Sequence, residues 1–516
     1  MENLKIKATI QEICYYLFFS SLFFAKGIGL YDGQNVFKVF LILSVIFLAV
    51  KLLLTEYKIK ELAIMAALGI VCALSYYNTR EKGIILVLMI VIGLKNIPLK
   101  RLFRVALTVW SVSFVSMVIF TTLGWLSSPF RVHVRPLVGF VIRWGLGSAH
   151  PNVGHMSYLI FAILVVYVLD KKISWKPYIL LFLGNCFVFF YTVSQTGFIM
   201  TTFYLIASLY LMYRKNPSKW EYGLVECVLP VCILSSLILP VVLRGKAFDI
   251  LNKLMNTRIS QSKRYLEEEK ITLFGSMLGL NDATNTLDNS YLFAFMTYGV
   301  VIFIILISAY FIIIRRYIRE RKNKELTIIV TLLIAGFSEP FLFNTSFKNL
   351  SLFFLGGLIF ASAEKGNRWL DKKIRILTVD KEVILNLTGT EYVYRIIKKC
   401  VSEYKKLLVF GAIVLALLWS VGYMLMTVIP SQITVPRKLC DSVDSPSVYI
   451  EEGAGQEDGV ILGYVDKETP MVAFEGILPF VEYIRGIVCR AVYGGMLGFI
   501  VVLGGCYVIK YKDSRK

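Results

Sequence analysis

Residues 290–314 read SYLFAFMTYGVVIFIILISAYFIII, with no charged side chain until Arg315 and Arg316 close the run. Wound as a helix at about 1.5 Å per residue, this stretch is long enough to cross a hydrocarbon core about 30 Å thick. Similar apolar blocks, about 15–28 residues long, recur along the chain. The 516 residues are 57% hydrophobic and 18% charged, with mean hydropathy +0.66 and formal net charge +21. These values exclude a soluble globular enzyme, a disordered chain and a secreted disulfide scaffold. A membrane β-barrel is excluded too, because its strands alternate polar and apolar residues. The sequence predicts an all-α, polytopic integral membrane protein with about fourteen transmembrane helices, their ends set to within about two to four residues. The spans lie near 11–30, 36–54, 61–77, 83–97, 105–125, 154–169, 177–193, 197–213, 223–243, 290–314, 326–343, 349–363, 407–429 and 483–510.

Charge orients these spans. With Met1 in the cytoplasm, the even-numbered connections hold Lys58 and Lys60, Lys95 to Arg104, Lys171 to Lys176, Arg214 to Lys219, and Arg315 to Lys324. The short connections assigned outside, 31–35, 194–196 and 344–348, hold one basic residue among them, Lys348. This asymmetry obeys the positive-inside rule and puts both termini in the cytoplasm of a multi-pass cell-membrane protein. The net charge is therefore an orientation signal. Nothing in it calls for nucleic acid, because no basic aromatic module or zinc spacing accompanies it. The first apolar block lacks a small-residue cleavage site and reads as an anchor. Of nine cysteines only Cys440 falls in an outside aqueous loop, so neither a disulfide framework nor a cysteine metal site is expected.

Three outside loops are long enough to carry function: 126–153, 244–289 and 430–482. The first holds His133 and His150, with His155 just beyond it, and these are the only histidines in the chain. Arg131, Arg135 and Arg143 accompany them. Histidine exchanges protons near neutral pH, and the arginine fork suits phosphate oxygens, so this loop suits an anionic, proton-exchanging reaction. The bland alternative is a basic loop meeting lipid headgroups. The apolar segment 137–147 and the flanking Gly145, Gly147 and Pro151 suggest a re-entrant turn. His155 reads as a satisfied structural histidine inside the next span.

The second loop predicts an amphipathic helix over 247–270, with Arg258 and Ser262 on one face and Arg264 elsewhere. Asp288-Asn289-Ser290 caps the next span, which by itself accounts for Asp288. Glu339, in FSEPFLFN, could neutralise an arginine or bind substrate. A cytoplasmic basic linker, 364–406, carries a β-like run at 383–387. After it a two-helix module, 407–516, encloses the acidic loop 430–482.

Together these segments resemble a known family. WGLGSAHPNVG followed by a transmembrane helix looks like the outside-loop motif of bacterial O-antigen and capsular polysaccharide polymerases of the Wzy type, in the superfamily that includes the O-antigen ligases. Collinear likenesses are Asn256 to Ile259 leading to Ile271 to Gly275, Leu287 to Tyr291 with Tyr298-Gly299, and Glu339 to Asn344. Two arginine-to-glycine spacings of eleven, Arg143 to Gly154 and Arg264 to Gly275, also match. The resemblance covers roughly residues 1–363. It implies an inverting glycosyltransferase that uses no metal and no cofactor and extends glycan on a polyprenyl (undecaprenyl) diphosphate carrier at the outer face of the membrane. In that reading His150 is the base, and Arg143, Arg258 and Arg264 hold the diphosphate. Arg135, Asn152, Asp282, Asn289, Glu339 and Asn344 bind substrate, with Asp282 and Glu339 as fallback bases. Partners implied are the lipid-linked oligosaccharide, membrane lipid, a flippase and a chain-length regulator, in a Gram-positive bacterium. A ligase of the same superfamily and a flippase for the same lipid-linked sugar are the competing readings.

Overall fold

The computed structural model describes residues 5–135, 139–169, 174–214, 216–255, 257–279, 287–360, 372–377, 382–386, 388–436, 460–466, 469–475 and 477–513. Its membrane part is helical: α1 (Ile10–Gly27), α2 (Asn35–Leu54), α3 (Ile59–Thr79), α4 (Gly83–Gly93), α5 (Leu99–Thr122), α6 (Pro151–Leu169), α7 (Lys176–Thr192), α8 (Gln195–Tyr213) and α9 (Lys219–Leu237). Two short helices follow, α10 (Gly245–Leu254) and α11 (Arg258–Glu268), then α12 (Ser290–Arg319), α13 (Asn323–Ser338) and α14 (Leu352–Phe360). The C-terminal part adds α15 (Thr388–Glu403), α16 (Lys405–Met426) and α17 (Ile477–Asp513).

A helix overlaps every predicted span, but among the described residues nine, rather than about fourteen, are long and apolar enough to cross a membrane. The others fall short for plain reasons. α4 has 11 residues, α7 has 17, α13 has 16 and α14 has 9, while α1 carries Glu12 and Lys26 near its two ends. Nor is the chain purely helical. Among the described residues nine strands form four small antiparallel sheets outside the bundle: β1 (Lys5–Thr9) with β6 (Glu382–Asn386), β2 (Tyr57–Lys58) with β5 (Lys373–Ile374), β3 (Phe130–Arg135) with β4 (Gly139–Trp144), and β7 (Gln432–Pro436), β9 (Thr469–Glu475) and β8 (Val460–Asp466) in that spatial order.

The core is aromatic. Phe19 and Phe23 of α1 are buried against Phe347, Phe353 and Trp110, and the Phe23 and Trp110 rings stack at 4.3 Å. Lipid tails are as apolar as these side chains, so the bundle is held by close packing rather than by expulsion of water. One face of the bundle gathers the basic connections and neutralises much of their charge internally. There Arg101 pairs with Glu12 at 3.0 Å, Lys95 with Glu61, and Arg316 with Glu320 at 2.7 Å. The opposite face carries the β3–β4 hairpin and α10–α11, and is called here the loop face.

The C-terminal helices meet backbone to backbone. A Cβ at Gly498 would lie 2.2 Å from the Gly411 carbonyl oxygen, and one at Gly494 would lie 2.5 Å from that of Leu415. Two glycines four apart give a small-residue stripe suited to helix association in lipid. Gly498→Leu should force α16 and α17 apart at a cost of about 1–3 kcal/mol. A cysteine crosslink between positions 415 and 494 that still forms in that variant background at the rate seen with Gly498 intact would contradict this packing.

Candidate functional site

The first loop is a hairpin, not a re-entrant turn. FRVHVR alternates aromatic or β-branched residues with polar ones, and GFVIRW is rich in aromatic and β-branched residues, which suits two strands better than a membrane-dipping coil. Arg131 pairs with Arg143 in register and Phe130 with Trp144. Strand β4 delivers Arg143, 7% exposed, to the C-terminal end of α7. There its Nε donates to the Thr192 carbonyl at 3.1 Å and its Nη2 to Asn152 Oδ1 at 2.6 Å.

The turn after β4 passes close to α1. Gly29 (φ +83°) and Gly147 (φ +81°) touch through backbone, and a Cβ on Gly29 would lie 2.2 Å from the Gly147 oxygen. His150 then precedes α6, and its Nδ1 accepts the Asn152 amide at 3.2 Å, as a cap does. With Nδ1 an acceptor, the proton of a neutral ring lies on Nε2, so His150 must release the amide before Nδ1 can act as a base. His155, fully buried, is structural as the sequence suggests. Its ring bridges Thr192 Oγ1 at 2.9 Å and Asn185 Oδ1 at 2.8 Å, and it packs against Gly197.

The second loop folds as two short helices rather than one. Thr257 takes a left-handed conformation (φ +62°) between them and turns Arg258 inward as the first residue of α11. Arg258 Nη2 lies 3.2 Å from Glu339 Oε1 and 3.6 Å from Asp288 Oδ2, and Nη1 reaches Thr196 Oγ1 at 3.4 Å. Thus the connection 192–197 receives Arg143 at one end and Arg258 at the other. Glu339, only 5% exposed, feels the charges of Arg258, Asp288 and Arg143. Ser290 Oγ donates to its carbonyl at 2.6 Å, which ties this centre to the start of α12.

A further cation belongs here. Lys348 lies in the connection between α13 and α14, is 3% exposed, and donates to the Val153 carbonyl at 3.0 Å. Burial, with the neighbouring charge of Lys26, lowers its ammonium from the ordinary lysine range to about 7, against the opposing pull of Glu339. The centre therefore gathers three basic side chains, Arg143, Arg258 and Lys348, with two acidic ones, Glu339 and Asp288.

No family model, curated protein or solved structure matches this chain.

Of the residues predicted from sequence, the structure brings together Arg143, His150, Asn152, Arg258 and Glu339. Arg264 stands apart on the exposed side of α11, paired with Glu268 at 3.1 Å. Asn289 is occupied as the cap of α12, accepting from Tyr291 and Leu292 amides at 2.9 and 3.0 Å. Because Asn289 does the capping, Asp288 is turned toward Arg258, a role that the capping explanation hid. Asn344 accepts the Ser346 amide at 2.9 Å and shapes its own turn. Arg135 is placed only by its backbone, opposite Gly139, while Asp282, Asn256 and Cys440 lie outside the described residues. Lys348 went unread as a site residue, although a lone cation in an otherwise uncharged connection is a signal. Two motifs from separate segments also meet: Val300 and Val301 amides donate to the Thr272 and Leu273 carbonyls at 3.1 Å, over the contact of Gly275 with Gly299.

Among the described residues no group of three His, Cys, Asp or Glu side chains could hold a metal. A wholly apolar cleft of about 110 Å³, lined by Val87, Val91, Ile302 and Leu306 among others, runs between α3, α4, α12 and α14.

Removing one member of a buried ion pair strands the other, so Arg258→Met should cost about 3–5 kcal/mol of stability in nanodiscs. Converting Glu339 to Leu as well should restore part of it; a single-variant loss below about 1 kcal/mol, the range of exposed pairs, would contradict the burial described. Lys348 also carries a pH signature. Its folded value lies below its unfolded one, so the unfolded chain binds the extra proton and stability rises with pH from about 7 toward the ordinary lysine range. Lys348→Met should flatten that rise in denaturation followed against pH, and an unchanged slope would refute the assignment.

Proposed function

We propose that this protein is a polysaccharide polymerase: an enzyme that moves a growing glycan from its polyprenyl diphosphate carrier onto a lipid-linked repeat unit at the outer face of the cell membrane. The observation that carries this reading is the convergence of two guanidiniums, Arg143 and Arg258, on the connection 192–197, beside the buried amine of Lys348. A departing diphosphate develops negative charge, and fixed guanidinium forks in a water-poor setting stabilise it far better than bulk solvent does.

The reaction needs little else. The acceptor hydroxyl oxygen attacks the anomeric carbon of the donor glycan, forming the new glycosidic bond. The bond from that carbon to the diphosphate oxygen breaks, and its electron pair leaves with the carrier. The hydroxyl proton passes to a base, with His150 Nδ1 in that role once it has released the Asn152 amide, and Glu339 as the fallback. Arg143 and Arg258 grip the leaving group, and the Asn152 side chain, held by Arg143, faces the sugar end. The apolar cleft beside α12 offers the prenyl chain a path out to lipid.

Sidedness follows the charge asymmetry: the loop face is external and the ion-paired basic face is cytoplasmic. The ligase reading shares this chemistry and differs only in acceptor. A flippase would be favoured by an ionisable group near the middle of a span, and Glu339 is instead paired with Arg258 beyond the end of α13.

His150→Ala and Arg258→Lys should insert normally yet slow chain extension by about a hundredfold or more. The assay is purified protein with lipid-diphosphate oligosaccharide, resolved as a ladder on a gel. A wild-type ladder from both variants would overturn the assigned chemistry, and transfer to a different acceptor without lengthening would make the protein a ligase.

A further inference from the structure

The C-terminal module has no part in the chemistry above, yet α17 is wedged against the strand that carries Arg143. Arg485, 3% exposed, forms an ion pair with Glu482 one turn earlier. Its Nη1 donates to the Ile142 carbonyl of β4 at 2.8 Å, and its Nε donates to the Phe190 carbonyl of α7 at 2.8 Å. The guanidinium also stands 5.4 Å over the Phe190 ring. Glu482 Oε2 accepts the Trp144 indole N–H at 3.1 Å, and the Tyr191 hydroxyl donates back to the Arg485 carbonyl at 3.1 Å. Two residues of β4, Ile142 and Trp144, are thus held on either side of Arg143. Two residues of α7, Phe190 and Tyr191, are held immediately before Thr192, whose carbonyl receives Arg143. Arg143 depends on both elements, and one ion pair from a segment more than 290 positions away clamps them together.

A cavity of about 390 Å³ opens beside this clamp, lined among others by Ser128, Trp144, Tyr191, Glu482, Arg485 and Arg490. Its most polar groups are already committed: Glu482 to Trp144 and Arg485, and Arg485 to two carbonyls. Arg490 lies 4.9 Å over the Tyr423 ring. The lining therefore reads as structural support rather than as a receptor.

We propose that Glu482 and Arg485 are positioning residues for Arg143, and that the C-terminal module is thereby a built-in control on the diphosphate-binding arginine. The module's sheet stands next to this clamp in the chain: β9 ends at Glu475 and α17 begins at Ile477, five residues before Glu482. Whatever loads the sheet acts on the clamp through less than two turns of helix. This inference rests on the polymerase reading for its consequence, but not for its geometry.

The test has two arms, both on full-length protein in nanodiscs of zwitterionic lipid. In the first, amide hydrogen exchange is followed over residues 139–144 and 190–192 in wild type, Arg485→Lys and Glu482→Gln. Exchange should quicken in both segments in either variant; unchanged exchange overturns the proposal, whatever the protein binds. In the second, affinity for undecaprenyl diphosphate is measured with and without Arg143→Ala. Each clamp variant should weaken binding about tenfold on its own, and add no further loss when Arg143 is already gone. Additive losses would mean that the clamp acts on general stability and not through Arg143, and would overturn the positioning role. If wild type fails to bind the diphosphate lipid, the polymerase reading falls, and the exchange arm alone decides the clamp.

Discussion

The Arg258–Glu339 pair is the interaction on which the loop face depends. A guanidinium and a carboxylate withdrawn from water are costly unless each satisfies the other and its remaining hydrogen bonds are filled. Arg258 meets that requirement by drawing four segments together: the start of α11, the connection at Thr196, Asp288 ahead of α12, and Glu339 after α13. Ser290 and Asn289 then anchor the head of α12 to the same place. Arg143 repeats the device from the other side, joining β4, α7 and the head of α6. The two arginines thus serve as ties for the fold and as the charged floor of the site.

Elsewhere the bundle keeps its polar chemistry at its two faces. In hydrocarbon a polar side chain without partners is expensive, so the interior is filled by aromatic rings and close-packed backbone. At the basic face the charges pair with one another, as Arg101 with Glu12 and Lys95 with Glu61 do. At the loop face two guanidiniums converge, and the amine of Lys348 is buried beside them with a carbonyl as its hydrogen-bond partner. The contrast between the faces, rather than any single residue, is the ground for proposing the loop face as the seat of an anionic ligand.

Much of this was legible in sequence. Apolar blocks and basic connections are local signals, and a helix overlaps every predicted span. The two arginines, His150, Asn152 and Glu339 could be picked out because polar residues in outside loops and at span ends are conspicuous in so apolar a chain. Errors came where two explanations competed locally. The segment 137–147 suggests a re-entrant turn because it is a nearly continuous apolar run, while its pairing with the alternating strand at 130–135 is not a property of that run alone. Asp288 was dismissed as a cap when its neighbour Asn289 does the capping. Arg264 and Arg258 could not be ranked until the left-handed turn at Thr257 fixed which one points inward. The clamp of Arg485 on β4 was invisible for another reason: its partner Ile142 is 343 positions away, and no local pattern encodes such a contact.

The central claim is that one anion seat lies between Arg143 and Arg258, over the connection 192–197. The most direct measurement is a cryo-electron-microscopy structure of the protein in nanodiscs with polyprenyl diphosphate bound. The account predicts both phosphates within hydrogen-bonding reach of the two guanidiniums, with the prenyl chain leaving toward the cleft beside α12. A diphosphate seated at the basic face near Lys95 and Arg101, with Arg143 and Arg258 untouched, would contradict it.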